Sequence, residues 1–163
     1  MTMPLGLRKI ALTAHVTSSV GWLGAVAVFL ALAVIGLTSR DAQLVRAAYL
    51  AMNVTAWVVI VPLCIASLTT GVVSSLGTTW GLFRHYWVVA KLVITLPASM
   101  LLLLHLQPIG RMASIAATTT LSVTDFSMLR MQLVFEAGAA LLALLVATAL
   151  SVYKPQGRTP FQA

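Results

Sequence analysis

The stretch Ala11–Gly36, ALTAHVTSSVGWLGAVAVFLALAVIG, runs without a single charged residue. About 20 consecutive apolar residues in helical form cross a hydrocarbon layer roughly 30 Å thick, so this stretch reads as a membrane span. Its fifth residue is nonetheless an imidazole, His15. An ionisable group placed among lipid-soluble side chains is costly, which makes His15 the first functional candidate of the chain.

The rest of the chain has the same character. Of 163 residues, 60% are hydrophobic and 8% are charged, where a soluble domain carries about 25% charged residues. The expectation is an all-α integral membrane protein, a four-transmembrane-helix bundle forming a single domain, because the length leaves room for four spans and no separate soluble unit. The first apolar run is too long for a signal-peptide core and is kept as a mature span. The lone cysteine, Cys64, excludes a disulfide framework and reads as a small buried residue. A formal net charge of +7 raises the question of nucleic acid. The basic residues stand in ones and twos at the ends of apolar segments, however, so they read as anchors at the lipid bilayer surface.

Four helices are expected, over about 10–37, 45–76, 82–106 and 129–153, since each span must satisfy its backbone polar groups internally. Ser39 or Asp41 caps the second. Pro62 should kink it, with Thr55, Ser67, Thr69 and Thr70 on hand for the freed backbone groups. The third starts in an interfacial collar of Arg84, Tyr86, Trp87 and Lys91. It is expected to stop at Pro108 and Gly110, leaving a Ser/Thr-rich outer loop over 107–128. Even numbers of spans put both termini on one side with Arg8, Lys9, Arg84, Lys91, Lys154 and Arg158, against Arg40, Arg46, Arg111 and Arg130 opposite. Six against four favours cytoplasmic termini.

The ionisable groups within the spans are few: His15, His85, His105 and Glu136, with Asn53 as a polar companion. His105 lies twenty residues beyond His85, about 30 Å along a helix, so His15 and His85 belong to one side and His105, Glu136 and Asn53 to the other. Two histidines on facing helices are the usual axial pair of a b-type haem, which makes His15 and His85 candidate iron ligands. Ala11, His15, Ser18, Ser19, Trp22, Ala25 and Phe29 share one helical stripe, small beside the imidazole and aromatic deeper, on which a flat macrocycle can lie. The same small residues also suit close helix packing, with His15 hydrogen-bonding across the interface. On the other side, His105 and Glu136 can share a proton, with Asn53 completing the network, at a quinone site, a proton exit or a second metal. A structural salt bridge with Arg111 or Arg130 is the plainer alternative for Glu136. The methionines show no copper-binding spacing.

No phosphate loop, nucleophile elbow or paired carboxylates are present, and three acids leave hydrolytic chemistry little to work with. Redox chemistry needs fewer side chains because a cofactor supplies the reactivity.

His15, six residues, Trp22, one residue and Gly24 form a pattern that resembles the first helix of small bacterial four-helix membrane proteins, among them the HemJ-type protoporphyrinogen oxidases and the copper-resistance D-like proteins. The stretch Gly77–Pro108, with Arg84, Trp87, Lys91 and His105, is similar to uncharacterised members of that group. The resemblance implies a haem ligand at His15. The oxidase branch has a lysine and then a histidine in the third helix, and here the interval from Lys91 to His105 is longer by about a turn.

The expected function is therefore a b-type haem protein of the bacterial inner membrane, acting in electron transfer, redox chemistry or sensing, with a haem-dependent oxidoreductase as its enzymatic form. Trp22 and Phe29 would wall the porphyrin, and Arg84 and Lys91 would pair with its propionates. A quinone or another redox protein is the expected electron partner. The other reading is a cofactor-free bundle: a small transporter, channel subunit or assembly partner. Gly138, Ala139 and Ala140 would let the last helix meet a second copy in a homo-oligomer, and equally suit internal packing.

Overall fold

The computed structural model describes residues 3–77, 82–118, 126–153, 155 and 159. Four of its helical segments are long and apolar enough to cross a membrane, Leu5–Thr38, Ala42–Leu76, Tyr86–Thr118 and Ser127–Tyr153, and together they make an all-α four-helix bundle.

Helix α1 (Leu5–Thr38) begins directly after Pro4, whose missing N–H is no loss at a helix start. It ends at the extended Ser39. The turn into α2 (Ala42–Thr55) is closed by Asp41, whose Oδ1 accepts from the amides of Gln43 at 2.9 Å and Leu44 at 3.5 Å, the cap anticipated from its position. The second span is continuous through a five-residue π-helical turn, Ala56–Ile60, into α3 (Val61–Leu76). That wide turn stands just ahead of Pro62, whose ring crowds the carbonyl of Val58 and cannot return a hydrogen bond to it. The threonines expected to help instead bond carbonyls further on: Thr69 donates to Ile65 and Thr70 to Ala66.

Helix α4 (Tyr86–Thr118) corrects the expected stop at residue 106. Pro97 and Pro108 both lie inside it, and the chain stays helical through Gly110. An interior proline costs about 3 kcal/mol. What opposes that cost is a face at helical spacing, Leu106, Ile109, Met112, Ala113 and Ala116, all of it buried. Of the loop expected over 107–128, residues 107–118 are thus helix and positions 119–125, with Asp125, lie outside the described residues, as do Lys154 and Arg158. Phe126, at a φ of 54°, precedes α5 (Ser127–Tyr153).

Met3 and Thr159 lie at one end of the bundle, here the proximal end. The amide of Met3 donates to the Gly77 carbonyl at 3.1 Å, and that of Thr159 to the Arg84 carbonyl at 3.0 Å. Helix α1 packs against α2, α3 and α5; α4 packs on α2 and α5 and meets α3 only sparsely. The core runs through Trp22, Phe29, Tyr49, Met52, Ile60, Met112 and Leu133. Because α2 and the far half of α4 close together while α3 and the near half of α4 do not, the bundle is tight at its distal end and open at its proximal end.

Candidate functional site

The proximal opening is a cavity of about 590 Å³, bounded by α1, the second half of α3, the first turns of α4 and the last turns of α5. Its wall is mostly aliphatic. The chemistry on it comes from His15 and Trp22 of α1, Lys91 and Trp87 of α4, Arg8 near the chain start, and serines and threonines of α3 to α5.

His15 is held from α3. Its Nδ1 lies 3.1 Å from the Ser67 carbonyl and 3.3 Å from Thr70 Oγ1. A carbonyl can only accept, and the Thr70 hydroxyl is spent on the Ala66 carbonyl at 2.5 Å, so both contacts are met by a proton on Nδ1. That leaves Nε2 carrying the lone pair of the neutral ring, and it makes no hydrogen bond among the described residues. Ser19 Oγ, 2.7 Å from Ser67 Oγ, ties the same two helices one turn further on. Close approach at this point depends on Gly71: a Cβ there would stand 3.0 Å from His15 Cε1 and 3.3 Å from Nδ1. The expected hydrogen bond across the helix interface is therefore real, and it occupies one ring nitrogen of two.

Lys91 lines the cavity with its Nζ 6.0 Å from the centroid of the Trp87 ring, a cation–π distance. Trp22, only 3% exposed, walls the same space. Three other residues expected here stand elsewhere. Phe29 is buried in the core, fourteen residues or about 21 Å along α1 from His15, too deep to share a ligand with it. Arg84 is exposed and offers its backbone carbonyl to Thr159. His85 precedes α4, where its carbonyl accepts from Val88 and Val89, and it is not part of the cavity wall. Both residues belong to an irregular segment before α4, so helical extrapolation back from Tyr86 misplaced them. Among the described residues no three His, Cys, Asp or Glu side chains gather to hold a bare metal ion.

The distal group is partly assembled. His105 Nε2 lies 2.7 Å from Glu136 Oε1, joining α4 to α5. His105 Nδ1 is 2.6 Å from the Leu101 carbonyl, and Gln132 Nε2 donates to the same Glu136 oxygen at 2.6 Å. Asn53 does not join them: its Oδ1 is sealed without a partner and faces Gly110, 3.9 Å from where a Cβ would be. Arg130, expected as a possible partner of Glu136, is 1% exposed with its guanidinium 5.7 Å over the Tyr49 ring.

Four participants escaped the sequence reading: Arg8 and Gly71 at the cavity, the Ser67 carbonyl, and Gln132. A signal existed for the α3 residues, since Ser67, Thr70, Gly71, Ser74 and Ser75 recur at helical spacing as a small polar stripe. The chain matches no protein-family model, no curated protein and no solved structure.

Proposed function

We propose that the proximal cavity holds a b-type haem with His15 Nε2 as its iron ligand, and that the protein works in membrane electron transfer, redox chemistry or sensing. One observation carries this reading: an imidazole with one nitrogen anchored to a backbone carbonyl lines a cavity of cofactor size that also holds two cationic side chains.

The donor set suits that group. Metal-binding histidines nearly always donate their second N–H to a carbonyl or carboxylate, which fixes ring orientation and tautomer, and Ser67 supplies that carbonyl here. A volume of about 590 Å³ falls within the roughly 300–1,000 Å³ of small-molecule and cofactor sites. The aliphatic wall and Trp22 accept an apolar macrocycle, while Lys91 and Arg8 suit its propionates. His85 stands outside the wall, so the reading rests on one histidine ligand. Haem iron supplies one-electron or oxygen chemistry when bound. The chain's own residues orient the ring nitrogen, exclude water with the aliphatic wall, and offset the ligand's carboxylates. The resemblance to the HemJ-type and copper-resistance D-like proteins, carried by the same histidine, points the same way. The positive-inside count of six against four favours the cytoplasmic face of a bacterial inner membrane for this end of the bundle.

Full-length protein purified in detergent from haem-replete cells should show a Soret band that sharpens and shifts on adding dithionite. His15→Ala should abolish it, and His105→Ala should leave it intact. A colourless wild-type protein would overturn the reading in favour of a cofactor-free bundle.

A further inference from the structure

The proposed haem site leaves the distal pair, His105 and Glu136, unused. Depth makes it unusual. Glu136 stands nine residues into α5, about 13 Å from the helix start. A 27-residue helix is about 40 Å long, so one centred on a 30 Å hydrocarbon layer buries Glu136 roughly 8 Å below the surface. The pair faces the bilayer side of the α4–α5 seam: its side chains keep 20% and 19% exposure, and they are flanked by Leu104 at 70% and Phe135 at 76%.

A proton count narrows what the pair can do. The Leu101 carbonyl requires a proton on His105 Nδ1. One further proton lies between Nε2 and Glu136 Oε1, and wherever it rests the pair is neutral overall, which suits it to hydrocarbon. Every protein contact to the carboxyl group falls on Oε1. Oε2 has no hydrogen-bond partner among the described residues and is not sealed inside protein. Oε2 is thus an acceptor left open on the outer side of the seam, where a hydroxyl entering from the bilayer can satisfy it.

We infer that this seam binds the hydroxyl-bearing ring of a hydroquinone-class lipid, which reaches it laterally from the bilayer, its ring O–H donating to Glu136 Oε2 and its tail lying along the exposed leucines of α4. The uncommitted capacity is an acceptor, so the ligand must be a donor. A fully oxidised quinone, with carbonyl oxygens only, meets Oε2 with no proton to offer. The inference is independent of the haem site.

The test uses full-length protein in phosphatidylcholine nanodiscs, titrated under argon with a decyl-tailed hydroquinone and with its dimethyl ether, empty discs giving the lipid partition. Wild-type discs should show saturable binding above empty discs. Glu136→Ala, which removes the acceptor, and separately the ether on unaltered protein, should each weaken it about ten-fold or more, the loss of one hydrogen bond in an apolar setting. No saturable excess over empty discs would overturn the proposal. So would binding of the ether within a factor of three of the hydroquinone, a comparison that needs no variant to fold.

Discussion

At the scale of single residues, the His15 ring is set by what α3 lacks. Gly71 has no Cβ, and the 3.0 Å that one would leave to His15 Cε1 is below ordinary van der Waals contact. The imidazole is a stiff ring tied to Ser67, so giving way by a few tenths of an ångström stretches that bond. Gly71→Ala should therefore lower haem occupancy well below wild type and shift the Soret position, with about 1–3 kcal/mol of overpacking strain in thermal unfolding. Gly24→Ala, where a Cβ meets nothing within 4 Å, should leave both readouts unchanged. Equal occupancy in the two variants would show that the ring is not held by this contact. His15 itself was legible in the sequence, because an imidazole in an uncharged span stands out. Gly71 was not, since a glycine in an apolar helix has many uses and only a neighbour's position selects one.

At the scale of elements, α4 shows breaker residues overruled by packing. Pro108 and Gly110 are strong local signals for a helix end, yet Leu106, Ile109, Met112 and Ala116 keep a helical period straight through them. Met112 is fully buried, so Met112→Ala should destabilise the detergent-solubilised protein by about 2–5 kcal/mol in chemical or thermal unfolding. A residue in a surface loop would change stability by less than about 0.5 kcal/mol. The extension matters for chemistry too. It moves His105 from the end of a helix to its interior, thirteen residues or about 20 Å short of Thr118. A cap at Ser39 or Asp41, by contrast, was readable in advance, because capping involves only residues two and three places on; the structure selects Asp41.

At the scale of the whole molecule, the cavity belongs to no single helix. It exists because α4 leans on α2 and α5 and leaves α3, so its wall draws on residues from both ends of the chain. Thr148 of α5 lines it far along the chain from His15, and Thr148→Trp should fill it from the α5 wall. The expected result is loss of the haem spectrum with thermal stability kept, since the new ring enters open space. A full Soret band in that variant would place the cofactor elsewhere. Composition and apolar run length by themselves determined that this chain forms four helices long and apolar enough to span a membrane, because the cost of exposing polar backbone to hydrocarbon acts on every residue locally. Only the tertiary structure decided that His15 faces a cavity without Phe29 or His85, and that His105 meets Glu136 without Asn53. Those outcomes depend on the lean and rotation of whole helices, which are set by packing between distant segments and leave no trace in the spacing along any one of them.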